Sequence, residues 1–97
     1  MFFLYILRCS DGTYYVGHTE NLEMRIAAHQ QGEIPGYTIG RRPIKLLFAQ
    51  DFPSRQEAFE RERQVKGWSR KKKEALIQGD WDALRQAAKA HGSTSSS

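Results

Sequence analysis

The sequence predicts an α+β domain of three short strands flanked by helices, and three observations carry that prediction. Runs rich in aromatic and branched residues recur at Phe2–Arg8, Thr13–Gly17 and Ile44–Ala49, each of strand length. The pair Asp11-Gly12 lies between the first two runs, and such a pair closes tight hairpins. Segments with apolar residues three and four apart begin behind capping residues at Thr19 or Asn21, at Ser54 and at Ser69, as amphipathic helices do.

Phe2–Arg8 is apolar on both faces, which suits the centre of a sheet. Cys9-Ser10-Asp11-Gly12 turns the chain, and Thr13–Gly17 returns antiparallel. Tyr5 and Tyr15 therefore share a sheet, at a separation set by the register. Tyrosines in strands usually serve packing. The first helix is expected over about Asn21 to Gln31, ending at Gly32 as a left-handed cap. Arg25 and His29 lie four apart on it and share a face. At ~100° per residue, Leu22 and Ile26 fall on the same side. A cation and an imidazole thus sit in the stripe that turns to the core. They are either a half-buried pair satisfied by backbone carbonyls or functional groups.

Residues 32–43 form a loop with glycines at 32, 36 and 40 and prolines at 35 and 43. It is expected to place Tyr37, Thr38, Arg41 and Arg42 on exposed backbone. Tyrosine can stack on a base or sugar and arginine can fork onto a phosphate; the same residues also suit a solvated loop. Ile44–Ala49 is the third strand, broken by Asp51-Phe52-Pro53. Ser54 and Glu57 form a capping box for the second helix, which runs to about Gly67. With Ala58 at 0° on the wheel, Val65 falls at roughly −20°, Glu62 at roughly 40° and Phe59 at roughly 100°. Glu62 is therefore near the middle of the apolar stripe, while Glu57, Glu60, Arg61, Arg63 and Gln64 reach water. An ionised carboxylate facing a core is costly without a partner or a metal. A buried Arg–Glu pair would satisfy it, and so would a divalent cation shared with a phosphate.

Ser69 caps a third helix, Arg70 to about Gln78. Its first turn, Arg70-Lys71-Lys72-Lys73, opposes the helix dipole by ~0.3–1 kcal/mol per exposed charge. Arg70, Lys72 and Lys73 form either a solvated face or a contact for a nucleic-acid backbone. Ala75, Leu76 and Ile77 are expected to face inward, with Trp68 and Trp81 around them. A short helix from Trp81 to about Ala90 follows. Residues 1–88 are expected to make one domain and residues 89–97 a disordered Ser-rich tail.

The chain has 97 residues, 39% of them hydrophobic, enough for one modest core and too apolar for disorder. No apolar run is long enough to span a membrane, and no secretory leader is evident. A cytoplasmic location is expected, with no membrane partner. Cys9 is the single cysteine, so no disulfide partner and no cysteine metal cluster exist within the chain. A net charge of +4 and a pI near 9.5 fit a polyanionic partner. The sequence does not fix the oligomeric state.

The order of these residues resembles the GIY-YIG nuclease superfamily. The first motif reads Phe3-Leu4-Tyr5 and the second Tyr15-Val16-Gly17. Arg25 and His29 match the helix positions, and Glu62 in Glu62-Arg63-Gln64-Val65-Lys66 matches the metal-binding glutamate. Gly36-Tyr37-Thr38, Arg41-Arg42-Pro43 and Trp68-Ser69-Arg70-x-Lys72-Lys73 resemble small stand-alone bacterial members. The similarity covers roughly residues 2 to 80. Two features depart from the pattern or go beyond it: Phe3-Leu4 replaces Gly-Ile, and His18 stands where the family varies and has no assigned role.

The resemblance implies a three-stranded antiparallel sheet flanked by helices. It implies phosphodiester hydrolysis in nucleic acid, DNA in repair or processing, with one divalent metal, Mg²⁺ or Mn²⁺. By that resemblance Glu62 holds the metal, Arg25 neutralises charge on the phosphate, and Tyr15 is general base or water-positioning group with Tyr5 beside it. His29 takes the proton or orients a tyrosine. A tyrosine base needs its pKa lowered by nearby positive charge. The competing reading is a nucleic-acid-binding module with the same fold and little activity. Tyr37, Arg41, Arg42, Arg70, Lys72 and Lys73 are the candidate nucleic-acid contacts in either case.

Overall fold

The computed structural model describes residues 1–80 together with Asp82 and Leu84. Trp81 and the expected tail lie outside the described residues. The chain divides into two compact units, residues 1–66 and 67–97.

The first unit holds β1 (Phe2–Arg8), β2 (Tyr14–Thr19), α1 (Leu22–Gln30), β3 (Lys45–Phe52) and α2 (Arg55–Lys66). The three strands form one antiparallel sheet in the order β2-β1-β3, an α+β arrangement. β1 is central because both its faces are apolar: Leu4, Tyr5, Ile6 and Leu7 are all buried. Its register pairs Tyr5 with Gly17 and Leu7 with Tyr15 on one side, and Tyr5 with Ala49 on the other.

Successive side chains alternate across a sheet. Tyr5, Leu7, Tyr15 and Gly17 therefore share one face, and Leu4, Ile6, Val16 and His18 the other. On the first face, Tyr5, Leu7, Cys9 and Ile44 form a buried cluster against which Tyr15, Leu22 and Ile26 pack. This is the α1 side. α2 packs on β1 and β2 from the His18 side and turns Ala58, Glu62 and Val65 inward. Cys9 is buried.

Caps define the helix ends. The Asn21 side chain accepts from the Met24 N–H at 3.1 Å, and Thr19 Oγ1 accepts from the Asn21 N–H at 3.2 Å. Ser54 Oγ accepts from the Glu57 N–H at 3.2 Å and donates to its carboxylate at 3.0 Å. Two strands run further than their composition suggests. β2 continues through His18 and Thr19, paired with Leu4 and Phe3. β3 continues through Asp51 and Phe52, which pair with Phe3 and Phe2. Pro53 lacks an N–H and stops the ladder only at its own position. A bulge between Ile6 and Leu7 in the β1–β3 pairing absorbs one extra residue of β3.

In the second unit, α3 spans Arg70–Gln78. Ser69 Oγ accepts from the Lys72 N–H at 3.1 Å. Gly79, at φ 69°, closes the helix with its N–H on the Leu76 carbonyl. A left-handed residue there favours glycine. Ala75 and Leu76 are buried.

Candidate active site at the edge of the sheet

β2 is an edge strand, and its Gly17 is what lets Tyr5 reach across it. A Cβ on Gly17 would stand 2.5 Å from the Tyr5 hydroxyl oxygen and 2.7 Å from its Cζ. The Tyr5 ring thus occupies the space a side chain would need. Its hydroxyl meets His29 Nε2 at 3.0 Å, and His29 Nδ1 meets Thr38 Oγ1 at 2.8 Å. Both His29 and Thr38 are buried, at 1% and 2% exposure.

Protonation follows from the surroundings. Burial raises the Tyr5 pKa well above that of a free phenol. The Tyr15 hydroxyl and the Glu62 charge add to the rise, while the Arg25 charge opposes it. Tyr5 is therefore a neutral phenol. Burial, and then the Arg25 charge, lower the His29 pKa below 6.5, so its imidazole is neutral at pH 7. In the tautomer with the His29 proton on Nδ1, Tyr5 donates to Nε2 and the ring donates to Thr38 Oγ1. The result is a hydrogen-bonded chain from Tyr5 through His29 to Thr38, with the Arg25 charge acting on both Tyr5 and His29.

Arg25 Nε is buried and has no hydrogen-bond partner. A buried donor left unpaired costs ~1–3 kcal/mol, more when the group is charged. Aromatic rings wall this pocket. Tyr15 lies edge-on to His29 at 5.1 Å and 6.3 Å from Tyr5. Tyr37 stacks on Tyr15 at 6.1 Å.

Glu62 is presented from the α2 side of β2. It is 8% exposed. Oε1 accepts from His18 Nδ1 at 2.5 Å, and Oε2 pairs with Lys66 Nζ at 2.6 Å. The buried carboxylate thus has cationic or donor partners, but not the arginine partner that the sequence suggested. Tyr5, Tyr15, Arg25 and His29 gather on the α1 side. Glu62 lies on the opposite face of the sheet, held by His18 and Lys66, and its charge is one of the influences that raise the Tyr5 pKa.

The loop arginines are taken up by partners in the loop and beside it. Arg41 Nε donates to Asp11 at 3.0 Å and its NH1 to the Tyr37 carbonyl at 2.8 Å, with its guanidinium 4.0 Å over the Tyr37 ring. Arg42 donates to the Ile39 and Gln30 carbonyls. Thr38 is buried rather than on exposed backbone. In the second unit Arg70 donates to Glu74 at 3.1 Å, and Lys72 lies 4.2 Å over the Trp68 ring. Burial and then Arg70 lower the Lys73 pKa.

Sequence reasoning gave no role to His18 and misplaced Thr38. The partner of His18 is 44 positions away, beyond any local pattern. The signal for Thr38 was its place in a loop rich in glycine and proline, which can fold back under a helix end.

Among the described residues no cluster of three His, Cys, Asp or Glu could hold a metal alone. The donor set fits a hard divalent ion that takes one protein carboxylate and completes its shell with water and phosphate oxygens, as Mg²⁺ does. Glu62 is the carboxylate that could hold such an ion, and the unpaired Arg25 Nε–H suits an anionic oxygen.

Known proteins resemble this chain over most of its length. A UPF0213 protein of Halobacterium salinarum is 45% identical over 79% of this chain and 100% of its own length. One from Bacillus pumilus is 38% identical over 78% of each chain. The solution NMR structure of a UPF0213 protein from Bacillus halodurans matches with a TM-score of 0.53 at 43% identity, over 80% of this chain and 84% of that one. A solution NMR structure of an E. faecalis protein matches with a TM-score of 0.55 at 32% identity, over 79% and 82%. The model of the GIY-YIG catalytic domain matches residues 1–75, and the chain belongs to the GIY-YIG family.

Proposed function

We propose that the protein is a divalent-metal-dependent endonuclease that hydrolyses phosphodiester bonds in nucleic acid, with DNA as its substrate. The observation that carries this reading is the buried, unpaired Nε–H of Arg25 beside the Tyr5–His29 hydrogen bond. It is a donor waiting for an anionic oxygen, next to a path for a proton. Arg25 binds the scissile phosphate and offsets the charge that builds on it. A water directed at phosphorus gives its proton to the Tyr5 oxygen as the Tyr5 proton passes to His29 Nε2. His29 is neutral at pH 7 and can accept it. Tyrosinate never has to accumulate, which burial would oppose. Tyr15 and Tyr37 confine the water and the sugar. A metal bound at Glu62 would supply Lewis-acid polarisation of the phosphate; His18 and Lys66 hold that carboxylate in position.

The test is cleavage of labelled duplex, nicked, flap, branched and single-stranded DNA and of RNA, in Mg²⁺ or Mn²⁺, with Glu62→Gln beside the wild type. Metal-dependent cutting lost in Glu62→Gln is the expected result. Equal cutting by both proteins overturns the reading. The second reading, a binding module of the same fold, is favoured by one observation: both Glu62 oxygens already have partners. Binding without cutting in either metal establishes it.

A further inference from the structure

We propose that the outward face of α2 formed by Arg55, Phe59 and Arg63 is a binding groove for an unpaired stretch of nucleic acid. One base stacks on Phe59, and the flanking phosphates meet the two arginines. This inference rests on the nuclease reading and narrows its substrate class. The preferred substrate would carry a single-stranded segment beside the scissile bond rather than unbroken duplex.

The three residues recur every four positions and so share a face. They line a groove of about 750 Å³ together with His18, Gln56 and Glu60, a size that suits a nucleotide. Phe59 is 43% exposed, although the core-facing stripe of α2 is already filled by Ala58, Glu62 and Val65. Its ring is braced edge-on by His18 at 5.5 Å, and the Arg63 guanidinium stands 5.9 Å from its centroid. At the other end, Arg55 lies 5.0 Å over the Phe2 ring and 3.7 Å from the Glu20 carboxylate, an exposed and weak ion pair. The one carboxylate lining the groove, Glu60, accepts from the Gln56 amide at 3.1 Å.

An aromatic face between two guanidinium groups matches the alternation of base and phosphate along a single strand. A duplex cannot use it, because its bases are already stacked on each other. His18 joins the groove to the site: the ring that braces Phe59 also bonds Glu62. A strand lying in the groove would therefore pass beside that carboxylate.

The test is a binding titration of the full chain in EDTA, so that cleavage plays no part. The probes are fluorescent oligo-dT and oligo-U of about 12 nucleotides and a matched duplex. Phe59→Ala should weaken single-strand binding about tenfold, and Phe59→Trp should preserve it. Arg55→Gln and Arg63→Gln should each flatten the dependence of log K on log salt by about 0.7. A loss on dT, on U or on both supports the groove and names its ligand. Unchanged binding by Phe59→Ala, with unchanged salt slopes in both arginine variants, overturns it. If Phe59→Ala melts well below wild type, the arginine slopes decide. Cutting that depends on Glu62 but binding indifferent to Phe59 overturns the groove alone. Binding lost with Phe59 in a chain that cuts nothing overturns the nuclease reading and leaves the groove standing.

Discussion

At Tyr5, burial pushes the phenol away from ionisation while Arg25 pulls it back, and the neutral hydroxyl that results is fixed on His29. Gly17 makes that geometry available. Gly17→Ala would drive a methyl group into the Tyr5 ring, so the ring must leave its bond to His29. We expect a loss of ~1–3 kcal/mol in urea unfolding and cleavage impaired more than the stability loss explains. His29 gives a pH test. Its folded pKa lies below the unfolded value of 6.5, so the unfolded chain takes up the proton first as pH falls. The stability owed to the neutral imidazole is complete above pH 6.5 and is lost as the pH drops through 6.5 towards the folded value. The melting temperature should fall over that window, and His29→Gln should shallow the fall. Thr38→Val should cost ~1–3 kcal/mol by stranding the His29 Nδ1–H. Arg25, His29 and Glu62 were legible because polar residues in an apolar helical stripe are visible at 3.6-residue spacing. Thr38 and His18 were not, since each depends on a contact that only the folded chain creates.

Among the elements, the helices were the most legible because their termini are written in side chains. Asn21, Ser54 and Ser69 all cap as their positions suggest. Ser54→Ala should cost about 1 kcal/mol by freeing the first turn of α2, seen as a lowered melting temperature with the Glu62 contacts preserved. The strands were legible in place and less so in length. Along β3, Lys45, Gln50 and Asp51 are exposed, as an edge strand requires, and polar residues at an edge read as a turn. The charge runs were the least informative. Arg41 and Arg42 fasten their own loop, and Arg70 and Lys72 find neighbours on or just before α3. Isolated cations carry no sign of which partner they will choose.

For the whole molecule, the +4 charge fits binding dominated by phosphates. Affinity for DNA should fall steeply between low and physiological salt, measured by anisotropy; a flat response would remove electrostatics as the driving force. The fold also sets how heat would end the proposed activity. Tyr5 sits on the central strand, with its backbone paired on both sides. Its backbone amide should be among the slowest to exchange with deuterium, opening only when the first unit unfolds as a whole. The cluster around Tyr5 would then stay assembled while exposed loops open. On warming, inactivation should follow the main unfolding transition rather than precede it.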